Sequence, residues 1–128
     1  ARGVLTGKYL KDADADADSR AGQRDRRMLE TEWREESLAI AERLVAHCRE
    51  RGTTLTAFAL NWLWANQLVT AAIAGPRTMG QWEAYLAAVD APWGPEDEAL
   101  VDSLVPPGHP STPGYTDPRY PIEGRVLG

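Results

Sequence analysis

The 128-residue sequence has little of several features whose scarcity narrows its function. It contains a single cysteine, Cys48, which excludes an internal disulfide. Its longest apolar runs, such as residues 57–60 and 69–74, are far shorter than the roughly 20 apolar residues needed to cross a bilayer. No membrane role is therefore predicted.

Acidic residues outnumber basic ones, 19 to 14. The formal net charge is −5 and the isoelectric point is near 5.0. These values argue against a nucleic-acid partner, because phosphate backbones are held by clustered positive charge. The sequence also has no charged N-terminal stretch followed by an apolar one that could direct export. We therefore expect a cytoplasmic protein.

Residues 69–86 carry the most informative pattern, VTAAIAGPRTMGQWEAYL. The apolar run at 69–74 does not alternate with polar residues, which is typical of a strand buried on both faces of a parallel sheet. A glycine and a proline end this predicted strand. Thr78 is followed three residues later by Gln81, which is the spacing of a capping box and predicts the start of a helix.

The predicted helix should have one apolar face and a free N-terminus. Its apolar residues recur at intervals that suit packing against a sheet: Trp82, Tyr85, Leu86 and Val89. Arg77 precedes the helix, where unpaired N–H groups and a partial positive charge are expected. Because a guanidinium is a permanently charged, forked donor, this combination predicts a phosphate site. The alternative is a loop arginine paired with a surface acid.

Three stretches of the sequence resemble the aldo-keto reductase family. IAGPRTMGQWEAYL resembles the last strand, loop and helix of the family, where a Gly-x-Arg-Thr-x-x-Gln pattern binds the adenosine 2′-phosphate of NADPH. GVLTGKY at residues 3–9 resembles the Gly-Leu-Leu-Thr-Gly-Lys-Tyr segment after the seventh barrel strand. TLTAFALNWLWAN at residues 54–66 resembles the helix before the eighth strand. The three stretches occur in the order found in the family.

The resemblance implies a fold, a cofactor and a reaction. The expected fold class is α/β, with this chain as the C-terminal portion of a (β/α)8 TIM barrel that is helix-rich in this part. The expected function is the cofactor-binding part of an NADP(H)-dependent oxidoreductase that reduces aldehydes or ketones by hydride transfer. The substrate would be a small carbonyl compound. The residues that the resemblance assigns to cofactor binding are Ile73, Gly75, Pro76, Arg77, Thr78, Gln81 and Tyr85.

The adenine contacts depart from the family pattern. Many members have an acid followed by Asn where this sequence has Ala84 and Tyr85. Two roles remain for Tyr85: stacking on the adenine or packing inward.

The catalytic residues of the family have no match in this sequence. Family members use a Tyr acid, a Lys paired to an Asp, and a His to protonate the carbonyl oxygen. The only lysines, Lys8 and Lys11, lie in the first loop, and neither His47 nor His109 has the sequence context of the family. No catalytic residue and no metal ligand is predicted, and the chain alone is expected to be inactive.

Three other helices are predicted from local patterns. Apolar residues at helical spacing predict a helix within residues 33–52, and Thr54 is placed to cap a second helix, whose tryptophans are predicted to be core residues. Gly94 and Pro95, followed by acids, predict the start of a last helix. Cys48 is predicted to be buried and not nucleophilic, because the side chain of its neighbour His47 points about 100° away on a helix.

The remaining segments set the domain boundaries. Residues 11–30 begin with alternating aspartates that lack the Gly and Glu positions of a calcium loop, and a mobile loop is predicted. Residues 106–128 hold six of the nine prolines and should form an extended tail. This tail either borders the substrate pocket or is a strap or a disordered end. Residues 1–105 are then the barrel part.

The length of the chain is about half of a typical (β/α)8 barrel, and the first residue is Ala1. We therefore expect a piece of a longer protein or the product of a truncated gene, with the N-terminal barrel half as a missing partner. The alternative is a non-enzymatic helical interaction module or a pseudoenzyme remnant. Uncovered apolar surface would favour the barrel part, whereas a closed core would favour the module.

Overall fold

The computed structural model describes residues 3–9, 26–107 and 109–111. Within these residues the secondary structure is helical. The α-helices are α1 (Arg26–Thr31), α2 (Glu35–Glu50), α3 (Leu55–Trp64), α4 (Met79–Ala87) and α5 (Pro95–Leu104), and two 3₁₀ turns cover Val4–Thr6 and Ala88–Asp90. None of the helices in the described ranges is long and apolar enough to span a membrane.

Helix α2 forms as its sequence predicts. Its buried side chains follow helical spacing: Leu38, Ala41, Leu44 and Cys48. The helix ends at Glu50, and the chain turns away at Gly52, whose φ of 65° lies in the left-handed region that glycine adopts without strain. The Gly52 N–H donates to the Arg49 carbonyl at 3.2 Å, and the Thr53 N–H donates to the Cys48 carbonyl at 2.9 Å. This pair of bonds is a Schellman motif, which satisfies the last carbonyls of the helix.

Helix α3 is also confirmed, with one correction to its predicted core face. Thr54 caps the helix by accepting a hydrogen bond from the Ala57 N–H at 3.2 Å. Phe58 is buried and Trp62 is half-buried, but Trp64 is exposed. The prediction that the tryptophans of this helix are core residues therefore holds only in part.

Helix α5 begins and ends where predicted. Pro95 occupies its first position, and the Gly94 N–H donates to Asp97 Oδ2 at 2.8 Å, which is the return bond of a capping box. Leu104 is the last helical residue, just before the Pro106–Pro107 pair.

The core brings together the first turn and helices α1, α2 and α3. Phe58 packs edge-on against the Trp93 ring, with centroids 5.0 Å apart, and Tyr9 packs in the same way on Trp33. Helix α5 packs on this core through Leu100, Val101 and Leu104. Helix α4 contributes no buried side chain. The buried core residues are Val4, Tyr9, Met28, Leu38, Ala41, Leu44, Cys48, Leu55 and Phe58.

The strand predicted at residues 69–74 is wrong, because this segment carries no regular secondary structure. Ile73, expected inside a sheet, is fully exposed, with a relative accessibility of 106%. A strand requires a neighbour with which to exchange backbone hydrogen bonds, and the described residues form no strand. An apolar run without such a neighbour therefore stays irregular, and a barrel portion is not visible in the described ranges.

The segment predicted as a mobile loop, residues 11–30, is corrected at its C-terminal end. Helix α1 begins at Arg26, whose Nε lies 2.6 Å from Glu30 Oε1 one turn later. Met28 is fully buried in the core, which explains why this end is ordered as a helix. Residues 10–25 and most of the predicted tail lie outside the described residues.

Candidate functional site

The start of helix α4 is held by two side-chain hydrogen bonds. Thr78 Oγ1 accepts from the Gln81 N–H at 3.2 Å, and Gln81 Oε1 accepts from the Arg77 N–H at 2.7 Å. The predicted capping box is thus present with one change: Gln81 reaches back to the residue before the N-cap and not to the N-cap itself. We call residues 77–81 the cap segment.

The cap segment leaves hydrogen-bond donors unused. The Met79 and Gly80 N–H groups have no acceptor among the described residues, as expected for the first turn of a helix. The exposed Arg77 side chain forms no ion pair within the same residues. The alternative of an arginine paired with a surface acid therefore finds no support in the described part of the chain.

Space around the cap segment is open. A Cβ atom added at Gly75 or at Gly80 would meet no heavy atom within 4 Å. A ligand can therefore approach the backbone from the side of either glycine. Two free backbone donors, the positive end of the helix dipole and a guanidinium suit a phosphate group.

Within the described ranges, the structure does not link the other predicted cofactor residues to the cap segment by side-chain hydrogen bonds. Pro76 and Tyr85 are half-buried and Ile73 is fully exposed. Hydrogen bonds join Arg77, Thr78 and Gln81, whereas no side-chain hydrogen bond joins Tyr85 to them within the described residues. The phosphate part of the predicted site therefore has a defined geometry, and its adenine part does not.

Helix α4 presents an uncovered apolar stripe. Three of the four residues predicted to pack on a sheet are exposed, with relative accessibilities of 43% for Trp82, 53% for Leu86 and 69% for Val89, and the fourth, Tyr85, is half-buried. Met79 is exposed to the same extent as Val89, at 69%. We call Met79, Trp82, Leu86 and Val89 the α4 apolar face. The prediction that Trp82, Tyr85, Leu86 and Val89 pack against a sheet is not met, because the described residues form no sheet.

Helix α4 is anchored to the rest of the molecule at its C-terminal end. Ala88, which follows its last residue, is fully buried. The side chain of Asn61, on α3, donates through Nδ2 to the Ala88 carbonyl at 3.1 Å and to the Ala91 carbonyl at 3.3 Å. Sequence analysis did not identify Asn61. A polar residue within the apolar sequence of α3 was the available signal.

A second polar cluster joins α2 to α5 around Asp97, which is completely buried. Asp97 Oδ1 lies 2.7 Å from His47 Nε2 and 3.1 Å from Arg51 Nε. Arg51 also forms an ion pair with the exposed Glu96, with Nη1 2.6 Å from Oε1. The pKa of Glu96 is held below its ordinary value, first by a hydrogen bond with its own backbone and then by Arg51. Sequence analysis placed Asp97 in the first turn of a helix but missed its burial.

The environment of Cys48 disfavours its reactive thiolate form. Its thiol is buried, and burial, reinforced by the charge of Asp97 against the opposing effect of Arg51, raises its pKa to about 11. Since the thiolate is the reactive form, a thiol with this pKa is a poor nucleophile at neutral pH. The prediction of a buried cysteine is confirmed, and its raised pKa is consistent with a thiol that does not act as a nucleophile.

Comparison with known proteins adds a match at the level of the family. The model of the Aldo/keto reductase family matches residues 1–106. The matched range includes every described helix and the whole cap segment. Among curated proteins, no match was found.

Proposed function

We propose, since the chain belongs to the aldo/keto reductase family, that it is the cofactor-binding C-terminal part of an NADP(H)-dependent reductase. Such an enzyme reduces an aldehyde or a ketone, and the bound nicotinamide supplies the hydride. The task proposed for this chain is to hold the 2′-phosphate of NADPH at the cap segment.

The observation that carries the proposal is the Arg77 guanidinium, which has no ion-pair partner among the described residues and lies beside an open helix N-terminus. The side chains of Thr78 and Gln81 accept hydrogen bonds from backbone N–H groups within the cap segment and so stabilise its conformation. The donors that remain for a phosphate are the Arg77 guanidinium and the N–H groups of Met79 and Gly80. We therefore assign Thr78 and Gln81 to building the site and Arg77 to binding the phosphate.

The uncovered apolar surface supports a missing barrel half as the partner. The α4 apolar face consists of three large exposed side chains of a short helix and one, Val89, of the 3₁₀ turn that follows, and Ile73 lies just before the helix in the sequence. Contiguous exposed apolar surface of this kind marks an interface. In a (β/α)8 barrel the helices pack their apolar faces on the strands, so the remainder of a barrel would cover this surface.

The alternative function is a non-enzymatic helical interaction module or a pseudoenzyme remnant of the family. One observation favours it: Val4 and Tyr9, with side chains of α1, α2 and α3, close a core without a strand in the described ranges. A module of this kind would use the α4 apolar face for a protein partner and would have no need of a nucleotide.

The experiment is a titration of the 128-residue chain with NADPH and NADH at a fixed, low ionic strength, with and without Arg77→Ala. Losing a charge-assisted hydrogen bond costs about 1.5–3 kcal/mol, so NADPH binding should weaken roughly ten- to a hundredfold. NADH lacks the 2′-phosphate, and its affinity should change much less. Arg77→Lys should recover only part of the loss, because an ammonium keeps the charge without the planar fork.

The matched control is Arg43→Ala, which removes one exposed arginine from helix α2, away from the cap segment. It should leave both affinities unchanged. Equal weakening of NADPH and NADH by Arg77→Ala would make Arg77 a structural residue and would remove the main support for NADP(H). If the wild-type chain binds neither nucleotide but binds a separate N-terminal barrel half, the proposed NADP(H) site is refuted and only the assignment as part of a barrel stands.

A further inference from the structure

Helix α4 packs against α3 and is fixed most firmly at its C-terminal end. No side chain of α4 itself is buried, and the cap segment at its N-terminus is exposed. The hydrogen bonds that tie the helix to α3 lie at its C-terminal end, where Ala88 is fully buried and the Asn61 amide bonds to two carbonyls.

The Asn61 side chain has a defined orientation. Both of its partners, the carbonyls of Ala88 and Ala91, can only accept hydrogen bonds. The amide nitrogen must therefore face them, because the opposite orientation would place the Asn61 oxygen against two other oxygens. Ala88 directly follows α4 and begins the 3₁₀ turn, and Ala91 directly follows that turn, so Asn61 acts as a C-terminal cap supplied by another helix.

The anchored end controls the position of the free end. The rise along a helix places Thr78 about 15 Å from Ala88, so a tilt of about 10° at the anchored end would move the cap segment by about 2.6 Å. Binding donors have to stand within about 0.5 Å of their productive positions. A small change in the direction of α4 would therefore misplace the donors for a phosphate.

We infer that Asn61 is a positioning residue for the phosphate site: by fixing the C-terminal end of α4, it sets where Arg77 and the free N–H groups meet the 2′-phosphate. The inference rests on the proposed function of the cap segment. It extends that function to a side chain that belongs to another helix and does not touch the ligand.

The test uses a small probe on the 128-residue chain. Adenosine 2′,5′-bisphosphate carries the 2′-phosphate, and 5′-AMP lacks it, so the ratio of their dissociation constants isolates the phosphate contact. The ratio is measured by following the backbone amide resonances of Met79 and Gly80 during each titration. Thermal unfolding of every variant is recorded in parallel.

Asn61→Asp keeps the shape of the side chain but removes both donors, and it should lower the preference for the bisphosphate about tenfold. Asn61→Gln keeps an amide on a longer arm and should restore part of that preference. If Asn61→Asp does not fold, Asn61→Ala gives the same comparison without an added charge. Ser37→Ala removes a different half-buried hydrogen bond, between Ser37 and Ser111, and should lower stability without changing the preference.

The outcomes separate the inference from the proposed function. A wild-type preference that is lost in Arg77→Ala but kept in both Asn61→Asp and Asn61→Ala would overturn the positioning role and leave the proposed function intact. A wild-type chain with no preference for the bisphosphate would refute the proposed function, and the positioning role with it. A loss of preference in Ser37→Ala equal to that in Asn61→Asp would show that general destabilisation is the cause.

Discussion

Replacing Asp97 with alanine should loosen helix α5 from helix α2. The carboxylate is completely buried and serves both helices at once. Its Oδ2 accepts the Gly94 N–H at 2.8 Å and so caps α5. Its Oδ1 meets His47 Nε2 at 2.7 Å and Arg51 Nε at 3.1 Å, both at the end of α2. The substitution would leave the Gly94 N–H and His47 Nε2 without their hydrogen-bond partner and Arg51 without the nearby negative charge.

The size of the effect follows from what remains after the substitution. Breaking a buried ion pair by removing one partner costs about 3–5 kcal/mol, because the other charge is left without compensation. Arg51 keeps its contact with Glu96, which places the expected loss at the lower end, about 3 kcal/mol. Domains of this size have a stability of about 5–15 kcal/mol, so the loss is a large fraction of the total. Asp97→Asn keeps an acceptor for Gly94 and should lose only about 1–2 kcal/mol.

The measurement is urea unfolding followed by far-ultraviolet circular dichroism, with amide hydrogen exchange to locate the loosened region. Amides of α5 should exchange faster in Asp97→Ala, while those in the middle of α2 change less. Glu96→Gln is the control, since it removes the exposed partner of the same arginine and should have little effect. A loss below about 1 kcal/mol for Asp97→Ala would show that the carboxylate does not hold α5 in place.

Two further predictions concern chemistry. The purified chain should show no NADPH-dependent reduction of simple aldehydes, because no group matching the family's proton donor is present to stabilise the developing alkoxide. The assay follows the absorbance of NADPH at 340 nm. Measurable turnover would contradict the assignment as a cofactor-binding part. At pH 8, Cys48 should react with a chromogenic disulfide reagent much more slowly in the native chain than in urea, because a pKa of about 11 keeps the native thiol protonated. Equal rates would show that the thiol is not buried.

The features that the sequence predicted correctly are those encoded within a few residues. Thr54, Gly52 and the Gly94-Pro95 pair each act on the helix end beside them, and the cap segment forms from Thr78 and its near neighbours. These signals need no tertiary contact, because the hydrogen bonds that they predict join residues at most five positions apart.

The features that were missed depend on contacts between distant parts of the chain. The strand predicted at residues 69–74 needed a neighbouring strand, and without one in the described ranges its apolar pattern has no structure to stabilise. Asp97 and His47 are 50 positions apart, so no local sequence pattern predicts their contact. Asn61 did offer a clue, because asparagine is unfavourable within a helix and suggests a tertiary hydrogen bond when apolar residues surround it.

The cap segment and its placement therefore have different physical origins. Thr78 and Gln81 shape the segment through local hydrogen bonds, so it can form in this chain whether or not a barrel surrounds it. Its placement depends on the Asn61 anchor at one end of α4 and on whatever covers the α4 apolar face along its length. A partner that covers that face would restrict the tilt of α4 and present Arg77 in one direction. Assembly with such a partner and affinity for a phosphate are therefore expected to be coupled, because both act on the same helix.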